Sequence, residues 1–266
     1  MAAMDFAQLA QFALIGLAAF GAGAMNSVAG GGSFLSFPAL LAVGVPPVTA
    51  NASNSVALWP GSLAGAWAFR AELLRFKKSL PLLTLVAFLG GIAGGLLLLA
   101  TSNAAFSKLI PWLLLVATVL FAFSAQLSRF VAGLRKPAAA GAAPQGRHVG
   151  PGGFLFQLVV SIYGAFFGAG MGILMLAALA IQGFDDMHEI NALKNWLSAV
   201  IYSVAVVTFV VAGAVSWPHT AVMLVTGTLG GYWGARVARR IPALWLRRFI
   251  VAVGSFLTVL YFYKTL

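Results

Sequence analysis

The sequence predicts an all-α polytopic membrane protein built as two inverted repeats of about five hydrophobic segments each. Three observations carry this. First, 61% of the 266 residues are hydrophobic and only 8% are charged, with a mean hydropathy of +0.98. A soluble domain has no use for so much apolar surface, whereas each bilayer crossing takes about 20 apolar residues. The alternating pattern of a membrane β-barrel is absent. Second, the segments follow the order long, short, long, long, long, stated twice. Third, a Gly-rich break precedes the short segment in each half, and such paired breaks are the best sequence pointer to a transporter's substrate site.

The first long segment covers 9–29 and runs into Gly30-Gly31-Gly32-Ser33. A short segment, 33–45, follows. Long segments then cover 52–69, 80–100 and 109–127. The stretch 128–153 is rich in Ala, Gly and Pro, without apolar periodicity, and reads as a flexible basic linker. In the second half a segment at 154–169 leads through Gly168, Gly170 and Gly172 into a short one at 171–181. Long segments at 192–211, 220–235 and 246–263 complete it. The domains are therefore 1–128, the linker 129–153, and 154–266. The start of the chain, Met-Ala-Ala-Met-Asp-Phe, lacks a basic region, so the first segment is expected to stay in the mature protein.

A net charge of +11 in a soluble protein would suggest nucleic acid. Here the cations gather between hydrophobic segments, which is what cytoplasmic loops require. One group is Arg70, Arg75, Lys77 and Lys78. A second is Arg129, Arg135, Lys136 and Arg147. A third is Arg236, Arg239, Arg240, Arg247 and Arg248. The basic loop follows the third segment of the first half but the fourth of the second, so equivalent loops face opposite sides. The repeats are thus inverted, with both termini and the Lys108 loop outside.

Gly-rich backbone leaves N–H groups uncovered, and the short segment after it is a natural half-helix with a positive N-terminal end. Gly30, Gly31, Gly32 and Ser33, with Asn26 beside them, form a candidate anion site, and Gly168, Gly170 and Gly172 form its partner. The plainer alternative is close helix packing through small residues. Asn51, Asn54 and Ser55 share one helix face, as do Asn191, Lys194 and Asn195. They suit a polar shell around a substrate, or equally interhelical hydrogen bonds and helix capping. Lys194 either draws an anion inward or snorkels, paired with Asp185, Asp186 or Glu189.

The chain has no cysteine, and His148, His188 and His219 lack ligand spacing, so no metal or cofactor is expected. No catalytic constellation is visible, which disfavours a membrane-embedded enzyme. A channel and a partner subunit without its own substrate remain the rival classes.

Asn26-Ser-Val-Ala-Gly-Gly-Gly-Ser33, Pro38-Ala-Leu-Leu and Gly44-Val-Pro-Pro-Val-Thr-Ala-Asn-Ala-Ser-Asn-Ser55 resemble the sulfite exporter TauE/SafE family of membrane transporters. Tyr163-Gly-Ala-Phe-Phe-Gly-Ala-Gly-Met-Gly172, Gly183-Phe and Asn191-Ala match its duplicated plan. The likeness covers nearly the whole chain except the linker. It implies export of sulfite, a sulfonate such as sulfoacetate, or a related organosulfur anion across the bacterial inner membrane. The partners implied are that small sulfur oxyanion and the lipid bilayer, without nucleic acid, and with a homo-oligomer left open. The second half lacks the triple glycine and serine of the first, so the two half-sites are expected to differ.

Overall fold

The structure is a computed structural model that describes residues 6–28, 31–76, 79–133, 151–181, 187–237 and 243–265. Among these residues every regular element is a helix, and short turns join them. The helices are α1 (Phe6–Val28), α2 (Ser33–Ala42), α3 (Pro47–Ala68), α4 (Arg70–Leu73), α5 (Leu80–Ala100), α6 (Asn103–Gly133), α7 (Pro151–Phe166), α8 (Met171–Ile181), α9 (Met187–Val211), α10 (Trp217–Val237) and α11 (Ala243–Thr265). Each of the ten predicted segments becomes a helix, and α4 is a short addition. The stretches Phe6–Asn26, Leu80–Ala100, Asn103–Ser124 and Glu189–Val211 are long and apolar enough to cross a membrane. The 10 residues of α2, at 1.5 Å each, cover about half of a hydrocarbon core.

Several boundaries move outward. α3 opens at Pro47, after Pro46, because proline is pre-set for the first helical position and has no N–H to lose there. Asn51 is therefore a full turn inside its helix rather than at the start. α6 opens at Asn103, so Lys108 lies on a helix and not in a loop. Arg247 and Arg248 lie on α11. The ends of the expected linker are helical, at 129–133 and 151–153, while 134–150 lie outside the described residues.

Much of the glycine is used for close packing, as is common between membrane helices. α1 runs parallel to α10: Gly23 sits against the Gly227 carbonyl and Gly234 against Ala24. α5 runs parallel to α7: Gly90 sits against Ser161 and Gly94 against the Ile162 carbonyl. A side chain at any of these glycines would collide with the neighbouring helix. The packing reading of small residues thus holds at these positions.

The packing pairs follow a rule. Exchange α1, α2, α3, α5 and α6 for α7, α8, α9, α10 and α11 in that order. The α1–α10 contact becomes α7–α5, α3–α10 becomes α9–α5, and α2–α11 becomes α8–α6. The α3–α9 and α6–α11 contacts map onto themselves, and both are antiparallel. Trp59 meets Ser203 while Gly65 meets Asn195. Trp112 meets Phe262, and Phe121 meets Arg247.

Phe37, Phe106, Phe166 and Phe167 form the aromatic centre, with ring centroids 5.6–6.5 Å apart and steeply inclined planes. Such edge-to-face pairs add about 0.5–1.5 kcal/mol each beyond area burial. They tie α2 and α6 of the first half to the end of α7 in the second.

Candidate functional site

At the first break, α1 ends at Val28 and α2 begins at Ser33. Gly31 has φ +87°, a left-handed conformation that costs an L side chain about 1–2 kcal/mol. A Cβ there would also lie 2.7 Å from the Phe121 ring. Gly32 is pressed against the Ala22 carbonyl and Asn26.

The expected row of uncovered N–H groups is mostly spent inside the chain. The Gly32 N–H donates to Asn26 Oδ1 at 2.8 Å. The Phe34, Leu35 and Ser36 N–H groups turn back on the Gly31 and Gly32 carbonyls at 2.9–3.2 Å. Gly30 lies outside the described residues.

Side chains take over the polar role. Ser36 Oγ donates to Asn54 Oδ1 at 2.5 Å, with its own i−4 carbonyl, that of Gly32, a longer second acceptor at 3.2 Å, and Asn54 Nδ2 donates to Ser33 Oγ at 3.2 Å. Ser33, Ser36 and Asn54 are all buried. Ser33 accepts in this relay, which leaves its own O–H for a further acceptor. An anion is such an acceptor. Ser36 escapes a reading of the sequence; its one signal is its place three residues after Ser33 on α2.

At the second break, α7 ends at Phe166 and α8 begins at Met171. Gly168 and Gly170 have φ +82° and +78°. A Cβ on Gly168 would meet Tyr202 Oη at 2.8 Å. The Phe167 and Gly168 N–H groups donate to the Tyr163 carbonyl at 2.9 and 3.3 Å, and Tyr163 Oη donates to the Ala169 carbonyl at 2.6 Å. Tyr163 and Tyr202 thus flank this break; the sequence named Tyr163 only as the start of the second-half motif and did not mark Tyr202. Gly172 lies beside the Lys194 side chain, whose Cδ is 3.9 Å from where a Cβ would stand.

Two features bring the breaks together. Gly31 packs on Phe121 and Gly170 on Ala117, whose Cα is 3.5 Å from the Gly170 Cβ position. Those α6 residues are one turn apart, about 6 Å along the axis. In addition, Asn51 Nδ2 donates to the Phe166 carbonyl at 2.8 Å. An asparagine of the first half therefore closes the last turn of α7. Its Oδ1 is buried without a donor.

Other predicted residues do not converge. Ser55 Oγ returns to the Asn51 carbonyl at 3.0 Å. Asn195 faces Gly65 of α3, with its Cγ 3.4 Å from the glycine's Cβ position. Asn191 and Lys194 are half-buried on α9. Glu189 pairs with Arg75 at 3.9 Å. Asp185 and Asp186 lie outside the described residues. Among the described residues no cluster of His, Asp or Glu could hold a metal ion.

Comparison with known proteins adds the following. A family model described as "Sulfite exporter TauE/SafE" matches residues 15–261. A "Probable membrane transporter protein" of Haemophilus influenzae is 26% identical over 244 residues, covering 90% of this chain and 89% of that protein. The Escherichia coli "Probable membrane transporter protein YfcA" is 26% identical over 249 residues, covering 92% and 87%. A Sinorhizobium "Probable membrane transporter protein ORF9" is 27% identical over 252 residues, covering 93% and 90%. No solved structure matches the chain.

Proposed function

This chain belongs to the sulfite exporter TauE/SafE family, and we propose on that footing that it is a secondary transporter exporting a small sulfur-containing anion across the bacterial inner membrane. The anion we propose is sulfite or a sulfonate such as sulfoacetate. The observation that carries this reading is the meeting of two glycine breaks on one turn of α6, beside the buried relay from Ser36 through Asn54 to Ser33.

A sulfur oxyanion presents several acceptor oxygens and needs donors. The Ser33 hydroxyl would supply a neutral one, and Lys194, whose Cδ lies beside Gly172, would bring a cation toward the second break. Neutral donors hold an anion without trapping it, which a carrier requires. The names of the relatives, probable membrane transporter proteins, support transport over catalysis.

The repeats are inverted in this reading. Support comes from helix direction: α3 and its counterpart α9 are antiparallel, as are α6 and α11. A two-fold axis along the membrane normal would make counterparts parallel; one lying in the membrane plane makes them antiparallel. The basic loops agree, since an odd number of crossings per half turns the second half over.

Purified protein in liposomes should move radiolabelled sulfite with saturable kinetics. Ser33→Ala should slow it at least tenfold while the protein still inserts and purifies. Wild-type flux in Ser33→Ala would remove the first break from the site, and non-saturable flux would mean a channel.

A further inference from the structure

The walls of the site agree on what stands at one side of it. The Val48 N–H donates to Asn103 Oδ1 at 3.0 Å, so the first turns of α3 and α6 lie together at one end of the molecule. In the orientation proposed above, that end is the outer one. Each wall can be followed toward it. From Ser33 on α2, the next residue on the same stripe is Phe37, four positions on. From Asn54 on α3, one turn leads to Asn51, which holds the Phe166 carbonyl. From Ala117 on α6, about 16 Å along the axis leads to Phe106, one turn inside Asn103.

The residues reached in this way meet. Phe37 lies edge-on to Phe106 and Phe167, with ring centroids 6.4 and 5.6 Å apart. Phe106 lies edge-on to Phe166 and Phe167, at 5.6 and 6.5 Å. Phe37, Phe106 and Phe167 are buried. An anion entering such a knot of rings would give up water and find no donor in the rings, and burying a charge unpaired is costly. The rings bar the outward passage for as long as they touch.

The backbone lets them part. Phe167 belongs to the second break itself, and Gly168 and Gly170 follow it on left-handed backbone. Phe37 rides on α2, a helix of 10 residues that starts just beyond the first break. Movement of either short helix about its glycines withdraws a ring from the knot.

The other side of the membrane has no such knot at the equivalent positions. α1 ends at Val28 where α7 ends at Phe166, and α2 begins at Ser33 where α8 begins at Met171. In that register Phe37 pairs with Met175 and Phe167 with Ala29. The repeats therefore place three rings toward the outside where their counterparts place Met175, Val28 and Ala29.

We propose that Phe37, Phe106, Phe166 and Phe167 form the outer gate of the exporter, closed in this structure, through which the anion leaves when the rings separate. This rests on the transporter reading above.

Thiol accessibility tests the gate without reference to the substrate, and the chain has no cysteine of its own. Ser33→Cys puts a thiol on the inner side of the rings, and Asn103→Cys puts one on their outer side. Right-side-out vesicles are exposed to a membrane-impermeant maleimide and labelling rates are measured. Asn103→Cys should react readily and Ser33→Cys should not. Adding Phe106→Ala or Phe37→Ala should speed labelling of Ser33→Cys at least tenfold. Phe106→Leu, which keeps apolar volume but loses the ring, should speed it less. Ala87→Cys, buried on α5, should stay unreactive beside Phe106→Ala; if it reacts too, that variant is unfolded and Phe106→Leu decides in its place. Ser33→Cys labelled as fast as Asn103→Cys with all four rings present would overturn the gate. So would a Ser33→Cys rate that neither Phe106 nor Phe37 variants change. Neither result depends on sulfite flux, so the gate and the transporter reading fail separately.

Discussion

Single residues at the breaks do two jobs, and only one of them is legible in a sequence. Gly31, Gly168 and Gly170 announce themselves, because a left-handed backbone is a demand that glycine alone meets cheaply. The Ser36–Asn54–Ser33 relay does not. A serine in an apolar helix looks the same whether it bonds its own i−4 carbonyl or another helix. Tyr202 was hidden for a similar reason, and Tyr163 was legible only as part of a motif, since only tertiary packing turns the two to one break. Replacing Gly31 with Leu should abolish transport, because it adds left-handed strain and a clash with Phe121; wild-type flux in Gly31→Leu would exclude that glycine. Ser36→Ala strands the buried Asn54 Oδ1, a loss of about 1–3 kcal/mol. A fall in melting temperature should report it, and an unchanged melting point would mean that the relay is not made. If Lys194 meets the anion, Lys194→Met should weaken apparent affinity about tenfold while Lys194→Arg keeps most of it. Equal affinities in wild type and Met would mean that Lys194 only snorkels.

At the scale of elements, the existence of the helices was readable and their edges were not. Apolar runs of membrane length mark helices whatever they pack against. The edges depend on caps: Pro46-Pro47 started α3 a turn before Asn51, and the last turns of α6 passed beyond the apolar run that marked it. The short helices α2 and α8 were legible because glycine bounded each on its N-terminal side. Orientation is testable from outside the cell. Single cysteines replacing Ala140 and Thr265 should behave oppositely toward an impermeant thiol reagent on whole cells, with Thr265→Cys labelled and Ala140→Cys protected. The reverse would put the linker outside and overturn the orientation read from the basic loops, while equal behaviour of the two cysteines would undo the inverted arrangement.

At the scale of the whole molecule, the two breaks differ chemically, with hydroxyls and an amide around the first and tyrosines with the Lys194 side chain around the second. Its acidic residues total five. Of these, Glu72 and Glu189 stand by the basic loop, where Glu189 pairs with Arg75, and Asp5, Asp185 and Asp186 lie outside the described residues. Neither described carboxylate, Glu72 or Glu189, is among the groups that meet the breaks, and we propose that the membrane potential rather than a proton gradient drives export. A negative cell interior already drives anions out, at about 2.3 kcal/mol per charge per 100 mV. A dianion gains about 4.6 kcal/mol, on the order of 10³-fold in concentration ratio. The most direct test is sulfite efflux from proteoliposomes carrying the purified protein, under a potential set by potassium and valinomycin. An inside-negative potential should accelerate efflux above protein-free vesicles, while a pH gradient at zero potential should leave it unchanged. Efflux no faster than in protein-free vesicles, or driven by the pH gradient alone, would contradict a potential-driven sulfur-anion exporter.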